Sequence, residues 1–183
     1  CNLANEITRD PHAGLFTVCQ FRAPGLASRR QQDGQQERTF GAIMSDIQSE
    51  FLFEIDLQVT PPQVLGATPL GERRIVTVTS GTFEGPDIRG TVVPNSGGDW
   101  LLFRADGVVQ LDVRVTLQTD DDALIYMAYR GVRDASPEVA ERLARGDAVD
   151  PSEYYFRTTP YFETASEKYA WLNRIITVAL GDR

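Results

Sequence analysis

Tyr155, Arg157 and Thr159 alternate along one extended stretch, Tyr154 to Glu163, and so share one face of it. Phenol, guanidinium and hydroxyl donors line up there. An arginine holds a carboxylate, phenolate or enolate by two parallel hydrogen bonds. A tyrosine beside it can donate to a developing oxyanion, and Glu163, if partly buried, can act as a base. The plainer alternative is equally open: tyrosines pack sheets well, and Arg157 with Glu163 makes an ordinary ion pair. Asp112 and Arg114 pose the same choice on the stretch Val108 to Gln118. Val109, Leu111, Val113, Val115 and Leu117 form one face; Val108, Gln110, Asp112, Arg114, Thr116 and Gln118 form the other. Either the aliphatic face is core and Asp112 with Arg114 is solvated, or the charged face lines a barrel lumen. Alternation alone does not choose.

Much chemistry is excluded by what the body of the chain lacks. Cys1, His12 and Cys19 are the only thiols and imidazole, all within the first nineteen residues. A cysteine nucleophile, a Ser-His-Asp triad and a His/Cys metal site therefore have no residues to draw on beyond Gln20. Lys168 is the single lysine against seventeen arginines, so a Schiff base would have to use it. Gly81 to Pro86 lacks the spacing and lysine of a P-loop and marks a strand corner or bulge, where Glu84 could face a lumen. Asp120-Asp121-Asp122 is too compact for an EF-hand loop and reads as a solvated hairpin turn. Trp100 and Trp171 read as core, with stacking on a ligand as the lesser alternative. No cofactor and no metal is expected.

The elements that must position these groups are mainly strands. Phe51 to Val59 alternates with period two until Thr60-Pro61-Pro62 stops it. Further strands are expected at 73–79, 91–93, 100–104, 108–118, 123–130, 154–159 and 173–180, with a turn at 94–98 and a helical turn near 166–171. Ser136 as N-cap, Pro137 at the first position and Gly146 beyond the end predict one helix. Many short antiparallel strands, one short helix and no βαβ repeat predict an all-β fold, a closed or nearly closed lipocalin-like barrel, with a two-sheet sandwich as the alternative.

The 183 residues suit one domain. Residues 1–43 are polar and glutamine-rich, carry a net +1 and are expected to be disordered or a spurious extension upstream of Met44; residues 44–183 carry −9 and form the barrel. Cys1 and Cys19 are expected to be free thiols. A net charge of −8 disfavours nucleic acid and anionic membranes as partners, and no apolar run approaches a membrane span. The N-terminus does not read as a signal peptide, so the cytoplasm is expected.

In sum these pieces resemble a known family, domain of unknown function 3237, also called uncharacterised protein family 0311. The resemblance runs from about Phe51 to Leu180. It is carried by Gly71-Glu72-Arg73-Arg74, Gly81-Thr82-Phe83-Glu84-Gly85-Pro86, Gly90-Thr91-Val92, Asp99-Trp100, Asp112-Val113-Arg114, Tyr155-Phe156-Arg157-Thr158-Thr159-Pro160 with Phe162-Glu163, and Tyr169-Ala170-Trp171-Leu172-Asn173. It implies a β-barrel whose recurring polar residues line the lumen. Asp112, Arg114, Tyr155, Arg157 and Glu163 then become the candidate catalytic set, and Arg74, Glu84, Trp100, Tyr126 and Asn173 the candidate ligand contacts. It implies no settled reaction; some fungal relatives look like isomerases. Three functions are weighed: a cofactor-free isomerase or lyase on a small phenolic or carboxylic molecule, a non-catalytic ligand-binding barrel, and an interaction domain with a filled core. The family pattern lacks residues 1–43 and leads one to expect a further strand after Arg183. A barrel edge left open there would pair with another chain, giving a homodimer.

Overall fold

The computed structural model describes residues 13–22 and 48–182. They form β1 (Ala13–Arg22), β2 (Gln48–Val59), β3 (Gln63–Thr68), β4 (Gly71–Glu84), β5 (Arg89–Val92), β6 (Gly97–Phe103), β7 (Val109–Thr119), β8 (Leu124–Asp134), α1 (Pro137–Arg145), β9 (Tyr155–Glu163) and β10 (Thr177–Asp182), with 3-10 turns at Pro151–Glu153 and Ala170–Arg174. Each strand pairing is antiparallel. β2 and β3 are one strand position, bent at Thr60-Pro61-Pro62, and both pair with β4. β5 and β6 are likewise one position between β4 and β7. With these merged, eight strand positions close into a barrel. Short connections dictate this meander, since two-to-five-residue turns can join only antiparallel neighbours.

The interior is apolar. Val113, Val115, Leu117, Ile125 and Met127 are almost completely buried, as are Phe53, Ile55 and Val78 from the opposite wall. The ring of Phe53 lies 5.5 Å from that of Phe83 and 5.8 Å from that of Phe162, so three strands meet across the lumen. The aliphatic face of β7 is therefore the inward one. Asp112, Arg114, Tyr155, Arg157 and Glu163 stand on the opposite, outer face of the wall, where the resemblance had implied a lumen. The reason is solvation. A barrel packed with aromatic and aliphatic side chains offers ionised groups neither water nor enough partners, and burying them costs several kcal/mol each.

The helix is built as its signals predict. The Ser136 hydroxyl accepts the Val139 N–H, Pro137 opens the first turn, and Gly146 ends the helix at φ 81°. Val139 and Leu143 are buried, so α1 packs on the core with its narrow apolar stripe. Other bounds shift modestly. β4 runs on through Thr82 and Phe83 to Glu84, and the irregularity in its ladder with β2 lies at Thr79 rather than at Gly81 to Pro86. The last strand begins at Thr177, after the 3-10 turn has used Asn173.

One segment of the N-terminal arm is not disordered. Residues 13–22 form β1, which pairs with β10 from Leu15↔Asp182 to Gln20↔Thr177 and with β2 from Ala13↔Gln58 to Arg22↔Gln48. Val18 is buried. β1 thus occupies the place between the last strand and the first where a further C-terminal strand had been expected. Residues 1–12 and 23–47, with Cys1, His12 and Met44, lie outside the described residues.

Candidate functional site

Two clefts on the outer face of the sheet gather most of the candidate residues. The first, of about 790 Å³, crosses the wall from β4 to β10. Its polar side chains include Arg73, Asp112, Arg130, Arg157 and Thr159, with Trp100 and Tyr155 as aromatic walls and Leu102, Val132, Val178 and Leu180 as apolar ones. The register explains how they meet. Asp112 faces Arg130 across β7 and β8, Arg130 faces Thr159 across β8 and β9, and Arg157 faces Leu180 across β9 and β10.

An opening in the sheet sits beneath this cleft. The ladder between β6 and β7 pairs Asp99 with Val113, then resumes only at Leu102 and Gln110. In the gap the Asp112 N–H donates to Oδ1 of Asp99 at 3.1 Å instead of to a strand carbonyl. Arg73 donates to the Trp100 carbonyl at 2.7 Å. Asp99 is itself buried, and its charge adds to burial in pushing the Tyr129 phenol well above its ordinary pKa.

Charge in the arginine cleft is unbalanced. Asp112 is engaged by arginine on both oxygens, by Arg114 at 3.1 Å and more loosely by Arg130 at 3.9 Å. Arg114 also lies 5.5 Å over the Trp100 ring. Arg157 donates to its own neighbour's carbonyl, Phe156, and sits 5.0 Å over the Tyr155 ring. Among the described residues neither Arg157 nor Arg73 has a carboxylate partner.

The second cleft, of about 800 Å³, lies farther along β7, β8 and β9. Tyr126, Tyr161, Glu163 and Asn173 line it with Leu124, Leu172 and Ile175. The rings of Tyr126 and Tyr161 meet edge to face at 6.1 Å. A hydrogen bond with Tyr126, then burial and the charges of Tyr126 and Glu163, raises the Tyr161 pKa, so this phenol keeps its proton. Asn173 is engaged at both ends of its amide: its carbonyl accepts the Thr164 N–H at 2.8 Å and its NH2 donates to the Thr164 carbonyl at 2.9 Å, which ties it to the rim.

The candidate residues are thus divided. Asp112, Trp100, Tyr155 and Arg157 converge in the arginine cleft with Arg114 at its side. Glu163, Tyr126 and Asn173 belong to the second cleft. Six residues of extended strand separate Arg157 from Glu163, about 20 Å, so neither an ion pair nor joint action on one small molecule is available to them. Arg74 shares the face of Val76, pairs with Glu72 at 2.6 Å and stacks 4.1 Å over Phe103 near α1. Glu84 lies in a third hollow with Asp87, Arg89 and Asp120. Lys168 is held by Asp121 at 2.6 Å, which raises its pKa. Among the described residues no group of three or more His, Cys, Asp or Glu side chains is placed to hold a metal ion, and no helix is long and apolar enough to cross a membrane.

Arg73, Arg130 and Tyr161 escaped the sequence reading. The turn at Thr119 to Ala123 already implies that Asp112 pairs with Arg130, and that signal was there to be used. Arg73 lay in a recognised motif, but the strand's phase put Arg73 and not Arg74 on the cleft face.

Residues 47–183 match the family described as protein of unknown function DUF3237. The chain belongs to this family. The UPF0311 protein of Clostridium acetobutylicum is 36% identical to it over 141 residues, 76% of this chain and 89% of that protein. The crystal structure of a β-barrel-like protein from Acinetobacter baumannii superposes with a TM-score of 0.54 at 37% identity, covering 69% of this chain and 95% of the other. The hydroalkoxylation enzyme phnH of Penicillium herquei is 32% identical over 127 residues, 69% of this chain and 68% of the enzyme. The matched region begins after β1, so the strand that closes this barrel lies outside it.

Proposed function

We propose that this DUF3237 barrel binds a small planar acid, a phenolate or an aromatic carboxylate, in the arginine cleft of its outer wall. The observation that carries the reading is the pair of guanidinium groups, Arg73 and Arg157, that line the cleft without carboxylate partners among the described residues. Trp100 and Tyr155 flank them with rings on which an aromatic ligand can stack, and the aliphatic side chains of β10 give it an apolar wall. Two guanidinium groups that donate only to backbone carbonyls, on a chain of net charge −8, are a local exception that an anionic ligand would complement. The described side chains that face the barrel interior are mainly apolar and offer an anion no cationic partner there.

Titration calorimetry with benzoate and 4-nitrophenolate tests this. Arg157→Ala and Arg73→Ala should each weaken binding by about tenfold or more, the loss typical of a charge-assisted contact. Unchanged affinity in both variants would overturn the reading.

A second reading, catalysis of an isomerase or lyase type without a cofactor, is supported by the name of the fungal relative. Hydroalkoxylation adds an alcohol O–H across a carbon–carbon double bond, so a proton must leave oxygen and another reach carbon. In the arginine cleft the alcohol proton would pass to solvent water and the proton that reaches carbon would come from water, with Arg157 steadying the transient anion and Tyr155 donating a hydrogen bond to it; Asp112, already held by two arginines, is poorly placed as a base. Turnover of phenolic alkenes by the wild type that survives both Arg157→Ala and Tyr155→Phe would remove these roles.

A further inference from the structure

The second cleft differs from the first in sign. Glu163 has no hydrogen-bond or ion-pair partner among the described residues, although it lines a cleft of about 800 Å³. Beside it, Tyr126 and Tyr161 meet at an interplanar angle of 68° and form two walls of a corner. Leu124 and Ile175 add apolar surface. The rim is rigid: Thr164 is tied to Asn173 by two hydrogen bonds, and its hydroxyl donates to the Leu124 carbonyl at 2.7 Å and accepts from the Ser166 N–H. Arg114, whose charge is felt at Tyr161, is engaged with Asp112 at 3.1 Å and lies over Trp100.

We infer that this cleft is a separate binding site for a small organic ammonium ion with an apolar or aromatic body. An unpaired carboxylate in a fixed corner supplies the charge-assisted acceptor, and two electron-rich tyrosine faces supply cation–π attraction. A neutral hydroxyl would hydrogen-bond to the carboxylate without the attraction of a positive charge and gain no cation–π attraction from the rings. An anion would meet the uncompensated charge of Glu163. The site therefore selects by charge against whatever the arginine cleft selects for, and it stands or falls independently of that cleft.

The test compares benzylammonium with benzyl alcohol, nearly the same shape without the charge, by amide chemical-shift mapping of the full chain. Benzylammonium should shift the Tyr126, Tyr161 and Glu163 amides and bind about tenfold more tightly than benzyl alcohol. Glu163→Gln should abolish that preference, Tyr161→Leu should weaken benzylammonium, and Arg157→Ala should leave it unchanged. Equal affinity for the two probes, an undiminished preference in Glu163→Gln, or shifts spread over the other acidic surfaces would overturn the assignment. Benzoate binding to the arginine cleft, measured on the same variants, separates failure of this site from failure of the other.

Discussion

Asp99 works where the sheet is locally incomplete. With the β6–β7 ladder open, its carboxylate supplies the acceptor that a strand carbonyl would give elsewhere, and so fixes the backbone from which Asp112 projects. Asp99→Ala should destabilise the fold by about 1 kcal/mol, the order expected when a half-buried N–H loses its partner, and should lower affinity in the arginine cleft. Asp99→Asn retains an oxygen acceptor and should restore much of both, as read by denaturant unfolding and calorimetry; equal loss in the two variants would mean that the charge of Asp99, not its acceptor, matters. At this scale the sequence was only partly legible. Tyr155, Arg157 and Asp112 were recognisable because alternation places them on one face. Glu163 was wrongly joined to them because sharing a face is not the same as sharing a site, and six strand residues carry it out of reach. Asp99 was visible as part of a motif, yet its role depends on a break in pairing that no single strand announces.

Elements are where pattern reading succeeded best and where its limit is clearest. The caps of α1 and the alternation of β7 and β9 are local properties, and the strands and helix follow them. Which face of β7 turns inward is not local, because a period of two has no sign; the choice is made by Phe53, Phe83 and Phe162 arriving from other strands. The turn between β7 and β8 shows how a polar run gains a structural task. Asp121, in the run that reads as a solvated turn, accepts from Lys168, from the Thr119 hydroxyl and from the Tyr169 hydroxyl, and these hydrogen bonds hold its pKa well below the usual carboxylate range. The latch ties this turn to the segment ahead of the final 3-10 turn. Its contribution is present above the ordinary carboxylate value and is lost as the pH falls through the depressed one. The matching lysine, its pKa raised, keeps its share below the ordinary lysine value and loses it at higher pH. The stability difference between wild type and Asp121→Asn should therefore be flat from about pH 5 to 9 and shrink at either extreme. Both groups are exposed, so the difference will be small; a change of sign or size within that window would remove the latch from the account.

For the molecule as a whole the decisive question is closure. Without β1, β10 would keep only its short pairing with β9, registered at Ala179↔Thr158 and Leu180↔Arg157, and β2 would present a free edge of ten residues opposite it. Two open edges side by side invite a strand from elsewhere. The family match begins at residue 47, after β1, and the run Leu15 to Phe21 does not alternate, with Leu15 beside Phe16 and Val18 beside Cys19, so the arm looks dispensable from sequence. Substituting Val18, the buried side chain of β1, by Asp places a charge against the apolar interior without altering the rest of the chain. Val18→Asp should lower the melting temperature and raise hydrogen exchange along β10 and the early residues of β2, while β7 and β8 stay protected. If β1 is displaced rather than the barrel unfolded, light scattering should also show concentration-dependent association, as freed edges pair between copies. A Val18→Asp chain that melts with the wild type and keeps β10 protected would mean that the barrel closes without its N-terminal strand.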